Sequence, residues 1–198
     1  KKLNKILFVF IALGVLLPTM HQSSLGSLMI IAGEKLSPIW QTGWLPLLFL
    51  MSAITMGYAV VIFESLFSAV ALKRPLDETP ILGKLSVMMI PLLVLFLGLR
   101  FGDLIWRGQL GNIFNDGMLG AFFVVENILF LIPIIMLASA KNRTQPTTLF
   151  WSAGSMILAG ALYRFDTFLV AFNPGAGYHY FPSASEIMIT VGIISIEI

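Results

Sequence analysis

The sequence predicts an all-α integral membrane protein, an antiparallel transmembrane helix bundle with five full spans and a truncated sixth. Hydrophobic residues make up 58% of its 198 residues and charged residues only 11%, whereas a soluble domain carries about 25% charged residues. The apolar runs reach the length of about 20 residues that a helix needs to cross a bilayer. The connections between them are short, which favours antiparallel neighbours in a single bundle over residues 1–198.

The predicted spans cover residues 6–33, 45–72, 84–107, 118–139, 147–172 and 183–198. The last run is too short to cross alone and the chain begins without methionine, so we expect a fragment of a larger membrane subunit. One side of the predicted bundle carries Lys1, Lys2, Lys5, Lys73, Arg74, Lys84, Lys141 and Arg143, and the other side carries Lys35 and Arg107. The positive-inside rule therefore places the residue-1 end in the cytoplasm.

The first span contains an unusually polar segment, PTMHQSSLGSL, at residues 18–28. Pro18 lacks the backbone donor that a helix uses at this position, and it predicts a kink near mid-membrane. His21, Gln22 and Ser24 follow at membrane depth, where polar side chains indicate a ligand or proton site by default. The alternative interpretation is a histidine whose hydrogen bonds are satisfied by a neighbour.

Ionisable groups inside the predicted spans carry most of the functional information. They are His21, Glu64, Arg100, Asp103, Glu126, Arg164, Asp166, Glu186 and Glu197. At a rise of about 1.5 Å per residue, all except Glu64 and Glu197 fall in the outer half of the membrane. Clustering on one side favours a polar cavity for a ligand with a polar head and an apolar tail. The alternative is a set of structural ion pairs that hold the bundle together.

Residue spacing limits how these charges pair. Asp103 is three residues from Arg100 and four from Arg107, so it can pair with either on one helix face. Glu126 lies at a depth that suits Arg100 or Arg164. Arg164 itself points to a different side from the carboxylate two residues later, so each needs a partner on another span.

Glu64 lies toward the cytoplasmic end of the second span, with no obvious cation beside it. We interpret it either as a protonated glutamate that hydrogen-bonds to neighbouring backbone or as a step in a proton path from the cytoplasm. Glu197, in the last run, marks the same path more weakly.

The chain has no cysteine and two histidines, His21 and His179. It therefore lacks the thiolate ligands of an iron–sulfur cluster. A haem held by two histidines needs both at membrane depth, and His179 falls in a predicted loop. We expect neither a haem nor a metal site in this chain.

Four segments carry a family resemblance. In chain order they are LNKILFVFIALGVLLPTMHQSSLGSLMIIAGEKLSPIWQ, GYAVVIFES, LRFGDLIWR and LVAFNPGAGYHYFPSASEI. Together they resemble the second half of the NrfD/polysulfide-reductase family of membrane subunits, and within it the subunits of type 2 NiFe-hydrogenases. The resemblance covers nearly the whole chain and implies the second of two four-helix bundles.

The resemblance implies a quinone-reactive anchor of a periplasmic-facing respiratory oxidoreductase in a bacterial inner membrane. Hydrogen would be oxidised outside and menaquinone or ubiquinone reduced in the bilayer, with possible coupling to proton translocation. The implied partners are a periplasmic ferredoxin-like iron–sulfur subunit and the large and small subunits of a NiFe-hydrogenase. No nucleic-acid partner is expected, and this chain alone holds no complete active site.

Under this interpretation, His21 donates a hydrogen bond or proton to the quinone. The residues expected to carry protons or fix its surroundings are Asp103, Glu126, Arg164 and Asp166. The loop residues Tyr178, His179 and Tyr180 would meet the quinone head or the partner, and the alternative for this loop is an interfacial aromatic anchor.

Two other functions stay open at this point. One is a proton-coupled transporter or channel, for which Pro18, Pro91 and Pro133 would mark interrupted helices. Such a transporter would need an inverted repeat, and the predicted spans show none. The other is a passive membrane anchor without quinone chemistry.

Overall fold

The structure is a computed structural model that describes residues 2–175 and 183–197. Its helices are α1 (Lys2–Ala32), α2 (Leu45–Ala71), α3 (Thr79–Trp106), α4 (Asn112–Asn115), α5 (Met118–Ala138), α6 (Pro146–Phe165) and α7 (Ala184–Glu197). Short 3₁₀ turns follow α1 and precede α6, at Gly33–Lys35 and Asn142–Thr144, and a π-helical turn, Asp166–Val170, continues α6. Proline in the first turn of α2, α3 and α6 favours these starts, because its missing N–H has no helical partner there.

Four of the described helical segments are long and apolar enough to cross a membrane. They are Leu7–Lys35, Leu45–Ala71, Thr79–Trp106 and Met118–Ala138. The all-helical, multi-pass architecture predicted from the sequence is therefore confirmed. The predicted count of five full spans and a truncated sixth stays a prediction, because α6 and α7 are not among these four segments.

The centre of the bundle is α6, which packs between α2 and α5, while α3 contacts all three of these helices. Phe49, Phe96, Phe130 and Tyr163 bring one large ring from each of the four helices into the core, and each is at most 1% exposed. Ring centroids lie 5.0 Å apart for Phe49 and Tyr163 and 4.7 Å apart for Phe96 and Phe130. Close packing of this kind matters more in a bilayer than in water, because lipid supplies no hydrophobic drive for helix association.

Helix α1 contacts the bundle mainly through α2. Gly26 permits the close approach, since a Cβ there would lie 2.6 Å from the Cα of Pro46. The most apolar stretch of α1 is otherwise uncovered. The helix runs unbroken through Pro18, and the hydroxyls of Thr19 and Ser24 donate to carbonyls one turn earlier in the same helix. The polar segment is thus an open helix face, with these hydroxyls already satisfied.

Two connections meet at what we call the outer end of the bundle, the end that holds residues 33–44, 107–117 and 166–175. The N–H of Ser37 donates to the carbonyl of Ala171 at 2.9 Å, and the N–H of Asn173 donates to the carbonyl of Lys35 at 2.7 Å. Leu36 and Phe172 form an antiparallel bridge between these bonds. The α1–α2 connection is therefore fixed to the chain that leaves α6.

Gly26→Ala is expected to destabilise the bundle, because the added methyl group meets backbone atoms of Leu45 and Pro46 that no side-chain rotation can move. Overpacking of this kind costs about 1–3 kcal/mol. Thermal unfolding of the purified protein in detergent, followed by circular dichroism, measures the loss. Gly14→Ala is the matched control on the same helix, since nothing lies within 4 Å of its added Cβ. Equal stability of the two variants would contradict the close approach.

Candidate functional site

A buried ion pair joins α3 to α5 near the outer end of the bundle. Arg100 is 4% exposed and Glu126 is fully buried. Nη1 of Arg100 donates to Oε1 of Glu126, and Nη2 lies 3.3 Å from Oε2. Two-pronged contact of this type is the strong form of a guanidinium–carboxylate interaction. Of the two arginines that the sequence offers as partners for Glu126, the structure selects Arg100, and the alternative pairing of Arg100 with Asp103 is not formed.

Aromatic side chains enclose this ion pair. The guanidinium carbon of Arg100 lies 4.5 Å from the ring centroid of Phe123 and 4.9 Å from that of Tyr163, within the range of cation–π attraction. The indole Nε1 of Trp40 donates to Oε2 of Glu126 at 3.2 Å. Both oxygens of Glu126 therefore accept hydrogen bonds, and aromatic rings contact both members of the pair.

A second carboxyl, that of Asp166, lies beside the pair. Its side chain is fully buried and lies within electrostatic and side-chain hydrogen-bonding reach of Glu126. Neither of its oxygens has a donor partner among the described residues. Arg100 also interacts with Asp166 electrostatically. The site therefore holds two carboxyl groups and one paired guanidinium; we call Arg100, Glu126 and Asp166 the charge cluster.

The π-helical turn at the end of α6 carries Asp166. The N–H of Ala171 donates to the carbonyl of Asp166 at 2.7 Å, an i to i−5 bond, and the hydroxyl of Thr167 donates to the carbonyl of Tyr163 at 2.6 Å. Such turns occur mostly as single insertions in α-helices, frequently at functional sites. Tyr163 and Asp166 are three residues apart, so they share the face that meets α3 and α5.

Arg164 points the other way, toward α1. Its Nη2 donates to Oε1 of Gln22 at 3.0 Å, its Nη1 donates to the carbonyl of Gly160 at 2.8 Å, and its guanidinium carbon lies 5.9 Å from the ring centroid of Phe49. The expectation that Arg164 needs a partner on another span is confirmed. The last turn of α6 therefore has two polar faces, one toward the charge cluster and one toward the open face of α1.

Other predicted site residues lie outside the charge cluster. Arg107 Nε donates to Oδ2 of Asp103 at 2.6 Å, a partly exposed pair at the outer end. His21 and Ser24 are exposed on α1, and Glu64 is exposed on α2.

The remaining predicted residues lie on or near α7. Glu186 accepts a hydrogen bond from the N–H of Ser183 at 2.8 Å at the start of that helix. The side chain of Glu197 and the residues Tyr178, His179 and Tyr180 lie outside the part of the chain that the structure describes.

Two members of the site, Trp40 and Tyr163, were not predicted from the sequence. Trp40 resembles an interfacial tryptophan by position, yet its side chain is 2% exposed and its indole N–H donates to Glu126. The useful signal for Tyr163 is its three-residue spacing from Asp166, which places both side chains on one helix face.

The family model described as "Polysulphide reductase, NrfD" matches residues 6–172, which include the whole charge cluster. The chain belongs to the NrfD family of membrane proteins.

Two curated relatives match over almost the whole chain. A protein of Escherichia coli (strain K12), named "Probable Ni/Fe-hydrogenase 2 b-type cytochrome subunit", is 46% identical over 200 aligned residues, covering 100% of this chain and 51% of the relative. A protein of Nitratidesulfovibrio vulgaris (strain Hildenborough) is 30% identical over 206 residues, covering 98% of this chain and 51% of the relative. The chain spans about half the length of these relatives. No solved structure matches it.

The name of the E. coli relative raises the question of haem b. Ligation by two histidines requires a second histidine facing His21, and the described part of this chain offers none. His21 is itself exposed on α1. The described residues therefore do not fit a bis-histidine haem, and absence of haem stays a prediction for the chain.

A dithionite-reduced optical spectrum of the purified full-length protein tests this prediction. We expect no Soret band that depends on this half of the protein. His21→Ala is the informative variant, because a haem ligated by His21 would lose or shift its Soret band on substitution. A Soret band that changes in this way would overturn the prediction.

Arg100→Leu is expected to destabilise the protein strongly, because it leaves Glu126 buried beside Asp166 without a cation. Removing one partner of a buried pair costs about 3–5 kcal/mol. Arg107→Leu is the control, since side chains of its pair with Asp103 are 27% and 15% exposed and exposed pairs contribute about 0–1 kcal/mol. Thermal unfolding of both variants in the same detergent makes the comparison. A similarly small loss of stability in both variants would show that the buried pair does not stabilise the fold.

Proposed function

We propose that this chain is part of the quinone-reactive membrane anchor subunit of a periplasmic-facing respiratory oxidoreductase of the NiFe-hydrogenase type. Hydrogen oxidation in the partner subunits would reduce menaquinone or ubiquinone in the bilayer. Membership of the NrfD family and the 46% identity to a protein named as a Ni/Fe-hydrogenase 2 subunit support the class. The observation that carries the proposal is the buried charge cluster, which α6 connects to a polar open face of α1.

The open face of α1 is the proposed quinone side. His21 is exposed there, and its half-buried sequence neighbour Gln22 is held by Arg164 from the end of α6. Imidazole, amide and guanidinium N–H groups are suitable donors to the carbonyl oxygens of a quinone ring. The exposed apolar side chains along the rest of α1 would accompany an isoprenoid tail. Ser24 and Asp103 would line the surroundings of the quinone ring.

Reduction of a quinone takes up two electrons and two protons. The electrons would come from the iron–sulfur subunit on the periplasmic side, and Tyr178, His179 and Tyr180 belong to the loop proposed to meet it. The charge cluster would hold protons close to the quinone ring. Arg164 and Glu186 belong to the same proposed site. Glu64 and Glu197 would extend a path from the cytoplasm, which makes the reaction contribute to a proton gradient.

His21→Ala is expected to lower hydrogen-dependent reduction of a menaquinone analogue by about 10²-fold or more, the size of a lost proton donor. The intact membrane complex is assayed, and hydrogen oxidation with a soluble dye is measured in parallel and should be unchanged. Ser27→Ala is the control on the same helix, because its hydroxyl donates only to the carbonyl of Ser23.

Co-purification of the partner subunits confirms assembly of each variant. Loss of quinone reduction with retained dye reduction supports the proposal. Full quinone reduction by His21→Ala would remove His21 from the site. Loss of both activities together with loss of co-purification would favour a passive anchor.

The proposed topology puts the outer end of the bundle in the periplasm and the residue-1 end in the cytoplasm of a bacterial inner membrane. Asn115 and Lys141 are exposed at opposite ends of α5, and this chain has no cysteine of its own. We expect a membrane-impermeant maleimide to label Asn115→Cys in intact spheroplasts and Lys141→Cys only after permeabilisation. The opposite labelling pattern would invert the topology.

A further inference from the structure

We propose that Glu126 and Asp166 bind one proton between them inside the bundle, that Asp166 carries it, and that Trp40 is the positioning residue that keeps it there. This proton is bound in the resting protein, and its presence does not require that the quinone reaction proposed above takes place. The proposed site is the contact between two buried carboxyl groups, and the ligand that it binds is a single hydrogen ion.

The balance of charge favours one bound proton. With both carboxyl groups ionised, the charge cluster would carry a net charge of −1 in a fully buried position. Uncompensated charge at such a place is costly in protein and in lipid. Arg164 does not compensate it at close range, because its guanidinium is turned to Gln22 and Gly160. One bound proton makes the cluster neutral.

The contact between the two carboxyl groups also favours a bound proton. Carboxylates are acceptors only, so two of them within hydrogen-bonding reach form a hydrogen bond only when one is protonated. Asp166 reaches Glu126 and has no donor of its own among the described residues. A proton on Asp166 turns this approach into an O–H donor and a carboxylate acceptor.

The two carboxyl groups differ in the hydrogen bonds that they receive, and this difference assigns the proton to Asp166. Glu126 receives hydrogen bonds from both outer nitrogens of Arg100 and from the indole of Trp40. Hydrogen bonds donated to a carboxylate stabilise its ionised form. Asp166 receives none from the described residues, so the neutral acid is the form that its surroundings favour.

The other groups near the pair leave this assignment unchanged. On α6, the hydroxyl of Tyr163 is buried without a hydrogen-bond partner among the described residues, and it is a neutral donor. On α3, Asp103 is one turn from Arg100 and is occupied by Arg107. Arg100 is therefore the cation that both carboxyl groups share.

Trp40 makes this proton site sensitive to the outer end of the bundle. The backbone N–H of Trp40 donates to the carbonyl of Ser37. The backbone N–H of Ser37 in turn donates to the carbonyl of Ala171, just past the turn that carries Asp166. The indole ring packs edge-on against Phe123 at 5.5 Å. A shift of this connection would change the number of donors on Glu126, and with it the balance of the proton between the two carboxyl groups.

Infrared spectroscopy of the purified full-length protein tests the proposal through the carbonyl-stretch band of a protonated carboxylic acid. We expect a band at neutral pH that moves when the protein is grown with heavy-carbon-labelled aspartate and stays in place with labelled glutamate. This readout needs no substitution. Absence of an aspartate-dependent acid band would overturn the proposal.

Substitutions test the sharing of a single proton. Asp166→Asn and Glu126→Gln should each remove the whole band, because one remaining carboxylate then balances Arg100. If the two acids were protonated independently, each substitution would remove only part of the acid band, and this result would overturn the proposal. Asp103→Asn is the matched control and should leave the band intact, because Asp103 is paired with Arg107. Thermal unfolding and monodisperse elution confirm that each variant is folded.

Trp40→Phe tests the positioning role, because it keeps an aromatic ring against Phe123 and removes the N–H donor. We expect the aspartate band to shift in frequency or lose intensity as the proton moves toward Glu126. A Trp40→Phe spectrum that superimposes on the wild type would overturn the role of Trp40. Partner co-purification should be unchanged, which separates this effect from a general loss of structure.

Discussion

The contact between Arg100 and Glu126 is the constraint on which the centre of this bundle depends. A buried ion pair loses its hydration on both sides, and it is tolerated only when its remaining hydrogen-bonding capacity is used. Here the indole of Trp40 and the rings of Phe123 and Tyr163 complete the enclosure. Because these groups come from α3, α5, α6 and the α1–α2 connection, one electrostatic requirement fixes the relative positions of four separate parts of the chain.

The end of α6 connects this enclosed site to the open face of α1. Tyr163 and Asp166 lie on the face toward α3 and α5, while Arg164 lies on the face toward α1. A helix surface turns by about 100° with each residue, so consecutive side chains can serve two different neighbours. A polar open face and a dry interior are thereby separated by one helix rather than by the width of the bundle.

Long apolar runs were sufficient to locate the long helices, although α3 begins earlier than the predicted residue 84 and the short α4 was not predicted. The predicted span of residues 118–139 corresponds to α5, Met118–Ala138, and the predicted 45–72 corresponds to α2, Leu45–Ala71. Depth along the helices also indicated that Glu126 would meet an arginine. Long apolar runs make such predictions reliable, because membrane thickness fixes both length and depth.

Rotation about the helix axes was not available from the sequence, and it decided the site. His21 is exposed on α1, while Trp40, outside every predicted span, reaches inward to Glu126. The π-helical turn has no composition signature in DTFLV, so the orientation of the chain beyond Asp166 could not be anticipated. Pairing partners therefore depended on packing between helices that no single-sequence pattern specifies.

That turn also has a consequence for how the outer end tolerates change in length. A π-helical turn contains one residue more than the α-helical turn that it replaces. Loss of a single residue between 166 and 170 would let the segment wind as an ordinary α-helical turn, which completes nearly the same rotation with one residue fewer. The chain beyond the turn would keep its direction, and Phe172 would stay opposite Leu36. Loss of a residue from the regular part of α6 would instead rotate everything beyond it by about 100°. The outer closure of the protein therefore tolerates a one-residue deletion in the π-helical turn better than a deletion elsewhere in α6.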